Sequence, residues 1–266
     1  MPKISTYPSG TFCWADLATT DAEKAKTFYT SLFGWSSSDM PMGEGMTYTM
    51  FKLHGVEVAA VGEQPDQPPH WNTYISVDNA DESAAHAQSL GAELIAPAFD
   101  VMDSGRMAIL KDPQGAYFFL WQPKNHKGSD IAGEPGTLCW TELATHDSTK
   151  AGEFYSKLFH WKPISNEVNG MVYTVFMKDD KMVAGMFSLG EDCKEFPPHW
   201  GIFFGVNNCK ESLDKAVSLG AHVVVEPTAV ENFGCFAVVR DPQGAHFGIV
   251  AMGEEKCCSD DKGGCC

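Results

Sequence analysis

The sequence predicts an α+β chain of four βαβββ modules, grouped as two tandem domains. Three observations carry that reading. First, "GTFCWADLATTDAEKAKTFYTSLFGW" (Gly10 to Trp35) returns as "GTLCWTELATHDSTKAGEFYSKLFHW" (Gly136 to Trp161), and "PPHWNTYISVDNADES" (Pro68 to Ser83) returns as "PPHWGIFFGVNNCKES" (Pro197 to Ser212). Second, each copy contains the same strand–helix–strands cycle twice. Third, both copies close on Asp-Pro-Gln-Gly-Ala followed by a short apolar strand, "DPQGAYFFLWQP" and "DPQGAHFGIVAM". The offset is 126 early and 129 later, which places a three-residue insertion in the second copy around "EDCKEF". Self-similarity on this scale means repeated structural units.

The elements follow in order. "TFCWADLA" is rich in β-formers and reads as a strand. Asp21 caps the next helix, where Ala25, Phe28, Tyr29, Leu32 and Phe33 recur at helical spacing, and Gly34 ends it. "MTYTMFKL" and "VEVAAVG" are strands joined by a His-Gly turn. The cycle restarts with "HWNTYISV" as strand and "NADESAAHAQSLGA" as helix, stopped by Gly91. "ELIAPAFDV", "RMAILKD" and "AYFFLWQ" complete the module, with Asp112-Pro113-Gln114-Gly115 as the last turn. The expected domains are residues 8–123 and 134–252, separated by the polar, glycine-containing linker 124–133 and followed by a Cys-rich tail, 253–266, expected to be disordered.

Composition narrows the function classes. The 266 residues are 44% hydrophobic and 20% charged, enough for one large or two medium cores. No apolar run reaches the roughly 18–20 residues of a membrane span. "MPKISTYPSG" lacks the apolar stretch of a secretion leader, so the expectation is a cytoplasmic monomer. A net charge of −16 without a basic cluster argues against nucleic acid as partner. Cys13, Cys139, Cys193, Cys209 and Cys235 are expected to be reduced, small hydrophobic residues. The tail "CCSDDKGGCC" has three readings: a plain tail with reactive thiols, a soft-metal binder, or a lipidated end.

With these motifs in order and duplicated, residues 9–251 resemble the vicinal oxygen chelate superfamily of glyoxalase, bleomycin-resistance and extradiol-dioxygenase proteins. The paired "CW", "PPHW" and "DPQGA" look most like its tandem-domain glyoxalase-like members from bacteria. The resemblance implies that paired modules curl into cups where His, Gln or Glu often hold a divalent metal. Carried over by position, those places hold Trp14, Asn72 and Phe119 in the first copy and Trp140, Gly201 and Gly248 in the second. The fourth falls near Ala59 or Ala60 and near Ala184 or Gly185. Apart from Asn72, these side chains offer no ligand atom. The sequence therefore predicts no metal and no cofactor in the cups.

Strand alternation supplies the other inward residues. Asp16 goes with Trp14 and Glu142 with Trp140; His70 and Tyr74 go with Asn72; His199 and Phe203 go with Gly201; Tyr117 and Trp121 go with Phe119; His246 and Val250 go with Gly248. An aromatic cup with a carboxylate and one or two histidines suits a small organic ligand. The expected function is binding of a small aromatic or apolar molecule, of the sequestering kind found among bleomycin-resistance relatives. The alternative is a lyase, isomerase or hydrolase, working through a carboxylate–His pair or a metal at displaced ligands, drawn from Asp16, Glu142, His199 and His246. Each residue also has an ordinary reading. Trp14 and Trp140 pack in cores, the acids face solvent if the register slips by one, His70 and His199 cap a strand start, and His246 packs. Gly201 and Gly248 are expected to leave the second cup open, with an empty space at Gly248. Because modules in this family pair in sequence or crosswise, that open surface faces either Trp140 and Glu142 or Trp14 and Asp16.

Overall fold

The computed structural model describes residues 3–43, 46–168, 170–190, 193–231 and 233–253. The Cys-rich tail, and with it all three readings of its cysteines, lies outside the described residues. In the first copy the order is β1 (Phe12–Thr19), α1 (Ala22–Phe33), β2 (Ser36–Gly43), β3 (Met46–Leu53), β4 (Val56–Glu63), β5 (His70–Ser76), α2 (Ala80–Ser89), β6 (Glu93–Val101), β7 (Gly105–Lys111) and β8 (Tyr117–Pro123). The second copy repeats it as β9 (Leu138–Thr145), α3 (Ser148–Phe159), β10 (Lys162–Val168), β11 (Met171–Lys178), β12 (Lys181–Ser188), β13 (His199–Gly205), α4 (Cys209–Ser218), β14 (His222–Val230), β15 (Gly234–Arg240) and β16 (His246–Met252). This is βαβββ four times, the α+β class the repeat predicts. Each copy supplies one eight-stranded sheet, β2-β3-β4-β1-β5-β8-β7-β6 and β10-β11-β12-β9-β13-β16-β15-β14.

Local chemistry accounts for the element ends. Asp21 and Asp147 accept from the backbone N–H of Lys24 and Lys150, and Asn79 and Asn208 cap α2 and α4 in the same way. Gly34 ends α1 in the left-handed region at φ 70°, a conformation that costs glycine least. β2 and β10 are edge strands with mostly exposed side chains. They lack the apolar alternation that marks β3 and β11, so the sequence does not announce them.

Two compact units emerge from the fold. The first holds residues 3–15, 72–130 and 140–201. Its core brings together Ile75, Phe118, Leu120, Leu143, Phe154 and Trp161, and α2 packs on α3. Within it, Trp200 Nε1 donates to Tyr155 Oη (2.9 Å), and that phenol donates to the buried Asp112 carboxylate (3.0 Å). The other Asp112 oxygen accepts from the backbone N–H of Gln114 and Ala116. The second unit holds residues 16–71, 131–139 and 202–253, with α1 packed on α4. It repeats the chain as Trp71→Tyr29 (3.0 Å) and Tyr29→Asp241 (2.9 Å), with Asp241 accepting from the N–H groups of Gln243, Gly244 and Ala245.

These bonds explain why "FY", "PPHW" and "DPQGA" recur together. They form a buried Trp→Tyr→Asp relay that locks the final turn to a helix. A buried carboxylate must be met by donors, and each Asp has at least three. Cys13, Cys139, Cys193 and Cys209 are free thiols, as the sequence predicts. Cys235 is buried, like Cys13 and Cys209.

Candidate functional site

The duplicated acids lie in the sheet interiors next to tyrosines. In the second unit Asp16 on β1 is buried and accepts from Tyr48 Oη on β3 at 2.8 Å. In the first unit Glu142 on β9 accepts from Tyr173 Oη on β11 at 2.6 Å, and Tyr173 in turn accepts from Trp140 Nε1 at 3.0 Å. Tyr48 and Tyr173 did not stand out from composition or spacing, although the "YT" of "MTYT" and "MVYT" sits at the same place in both copies. That shared position was the available signal.

Glycines flank Glu142 on both sides. On β12, Gly185 stands directly opposite in parallel register. A Cβ there would lie 1.9 Å from Tyr173 Oη and 2.9 Å from Trp140 Nε1, so the phenol occupies the volume a side chain at Gly185 would fill. On β13, a Cβ at Gly201 would meet nothing nearer than the Glu142 carbonyl oxygen at 3.7 Å, ordinary contact. Gly201 therefore leaves room beside the Glu142 backbone. The Glu142 side chain is only half-buried as a whole, yet its carboxyl is desolvated enough for burial to push its pKa up to about 7, with the Tyr173 hydrogen bond pulling the other way.

The remaining predicted residues are placed as follows. Trp14 is buried with its ring edge-on to His126 at 4.5 Å between centroids. Asn72 is half-buried. Tyr74 packs on Phe119 (4.9 Å) and Trp121 (6.1 Å). His126 belongs to the segment expected to be linker, but Trp121 Nε1 donates to its carbonyl and burial lowers its imidazole pKa. His70 and His199 place Nδ1 within 2.7 and 2.9 Å of the Pro68 and Pro197 carbonyls, and so brace the Pro-Pro turns that precede their strands. His246 is exposed at the start of β16, opposite Arg240.

One expectation is corrected outright. The space over Gly248 is not empty. A Cβ there would fall 2.1 Å from Phe203 Cδ1, because the Phe203 ring, directly across in parallel register, lies over the glycine. Phe203 is thus a filler of the former gap, and Gly248 is a glycine because that ring needs the room. Two surface hollows, of 270 Å³ beside His146, Leu189, Gly190 and Lys194 and of 360 Å³ along α1, contain none of the predicted residues.

Four βαβββ modules, two eight-stranded sheets and acids on the first strand of each copy define a tandem glyoxalase-fold protein. Comparison with known proteins makes the membership specific. The Glyoxalase/Bleomycin resistance protein/Dioxygenase superfamily model matches residues 11–119 and 137–249, and the chain belongs to that superfamily. Its relatives include CFP32 of Mycobacterium tuberculosis, provisionally named a glyoxylase, which is 40% identical over 257 residues covering 94% of this chain and 98% of that protein. The anthracycline biosynthesis protein DnrV of Streptomyces peucetius is 32% identical over 267 residues, covering 94% and 96%. Solved structures of the same fold include an Mn(II)-bound glyoxalase from Novosphingobium aromaticivorans (TM-score 0.66, 12% identity, 91% and 82% covered). The 2,3-dioxygenase LapB from Pseudomonas sp. KL28 is another (TM-score 0.66, 14% identity, 93% and 94% covered).

The superfamily resemblance implies a divalent metal, and the residues at the corresponding places do not fit one. Trp, Phe, Ala and Gly carry no suitable donor, and Asn72 offers a single weak oxygen. At Gly185 the Tyr173 phenol fills the place of a ligand side chain, and at Gly248 the Phe203 ring does. Among the described residues no three His, Cys, Asp or Glu side chains converge.

Proposed function

We propose that the chain binds a small, largely apolar organic molecule at the Glu142–Tyr173–Trp140 cluster of the second copy, without a metal at the superfamily's ligand positions. The observation that carries this reading is the open ground at Gly201, next to the backbone of the residue whose carboxyl Tyr173 holds. Aromatic walls with one oriented polar group are what small-molecule sites are made of. The first copy is more filled: Asn72 stands where the second has Gly201, and Tyr74 packs on both Phe119 and Trp121.

A thermal-shift screen of planar organic compounds tests the reading, with full-length protein treated with a chelator. Compounds that stabilise the native sequence should lose their effect on Gly201→Leu, a substitution the backbone there accepts. A compound retained at full affinity by Gly201→Leu, or one whose binding vanishes with chelation, would refute it.

A second reading is favoured by one observation. A carboxyl with a pKa of about 7 is half ionised at neutral pH, the condition for general acid–base work. In that reading Glu142 moves a proton on the bound molecule, as a lyase or isomerase would require, while Tyr173 holds the carboxyl in place. His199 and His246 take no part: the first is tied to its turn, and the second is exposed at a strand start.

A further inference from the structure

Glu142 is a half-buried acid, and among the described residues no Lys, Arg or His pairs with its carboxyl. Its hydrogen-bond partner is Tyr173, a neutral phenol that bonds one carboxylate oxygen, Oε2. The groups facing it are few. β11 contributes Tyr173, β12 contributes Gly185, its own strand contributes Trp140, and β13 contributes Gly201. The histidine at the head of β13, His199, is held by the Pro197 carbonyl. Burial and Tyr173 account for its shifted acidity, with no Lys, Arg or His among the described residues acting on it.

An ionised carboxylate in such a place is under-compensated. Tyr173 cannot give more, because its single O–H is already directed at Oε2 and its oxygen accepts from Trp140. The missing interaction is a positive hydrogen-bond donor at the other oxygen, Oε1, which accepts from no donor among the described residues. The flanking Trp140 and Tyr173 rings favour a cation further, since aromatic systems attract ammonium groups. A net charge of −16 also repels organic anions from the whole surface.

We propose that the ligand of this site is an organic cation, an apolar or aromatic body carrying a protonated amine, and that Glu142 is its counter-ion. This rests on the small-molecule reading above and narrows it to one class of compound. Binding then draws a proton off the fraction of Glu142 still protonated, because the ammonium group stabilises the carboxylate. The proton leaves to solvent, so uptake of the amine is coupled to proton release.

Three probes with one naphthalene body separate the possibilities: 2-(1-naphthyl)ethylamine, 2-(1-naphthyl)ethanol and 1-naphthylacetic acid. Calorimetric titration of the full chain near neutral pH should show the amine binding at least about tenfold tighter than the alcohol, and no heat from the acid. Repeating the amine titration in two buffers of different ionisation enthalpy should show net proton release. Glu142→Gln, whose folding is checked by its melting temperature, should bring the amine down to the alcohol's affinity and abolish the release. Gly201→Leu should weaken amine and alcohol alike. If the alcohol matches the amine and Gly201→Leu blocks both, the site stands and the cation inference falls. If no probe binds, or Gly201→Leu leaves binding intact, both fall.

Discussion

Replacing Glu142 by Gln should make the protein more stable at pH 8 than the native sequence, and no more stable at pH 4. The carboxyl rises from an ordinary value of 4.5 to about 7 in the folded chain. Below the lower value both folded and unfolded chains hold the proton, and burial costs nothing extra. As pH climbs through that value, the unfolded chain releases its proton while the folded chain keeps it. Stability therefore falls until the folded carboxyl ionises near 7, and the full penalty remains above that. At about 1.4 kcal/mol per decade of acidity, the window from 4.5 to about 7 corresponds to about 3 kcal/mol. For a chain of this size that is roughly 6–12 °C in melting temperature. Gln keeps an acceptor for Tyr173 and carries no charge. The assay is calorimetric melting of both proteins from pH 4 to pH 8, read as the difference at each pH so that all other titrating groups cancel. A difference that stays flat across the range would mean Glu142 is solvated, and the account of its environment would be wrong.

Other outcomes follow from the same geometry. Tyr173→Phe removes the hydrogen bond that favours the ionised acid, so the Glu142 pKa should climb further, as followed by carboxyl carbon NMR. Among the glycines, Gly248→Ala drives a Cβ into the Phe203 ring and should cost ~1–3 kcal/mol, whereas Gly201→Ala should stay within ~0.5 kcal/mol of the native value in denaturant unfolding. Tyr29→Phe and Tyr155→Phe each strand a buried Asp oxygen and a Trp N–H, and each should lower stability by ~1–3 kcal/mol.

Much of the architecture was readable because duplication doubles every signal. Asp21, Gly34 and the "DPQGA" turns are punctuation that acts through local backbone chemistry, and they stand where local rules place them. The edge strands β2 and β10 were not readable, since "SSSDMPMG" and "KPISNEV" have no buried face to impose a pattern. At the site, alternation groups Asp16 with Trp14 and Glu142 with Trp140. It could not show that Tyr48 and Tyr173 reach them, because that depends on cross-strand register between elements over thirty residues apart. Gly248 misled for the same reason. A glycine in a strand signals either open space or a neighbour's ring, and only the pairing with Phe203 decides which.

The Trp→Tyr→Asp relays also bear on how such a chain can arise and be divided. Tyr155 belongs to the second copy and Asp112 to the first; Tyr29 belongs to the first and Asp241 to the second. A polypeptide ending near residue 130 would hold Asp112 and Tyr29 with neither partner. A single copy could complete these bonds only by meeting another molecule of itself, so its folding would depend on concentration. Joining the copies in one chain replaces that encounter with a tether. Each copy is in turn the other's obligatory complement: a change at Tyr29 in the first reaches Asp241 in the second, and one at Tyr155 in the second reaches Asp112 in the first.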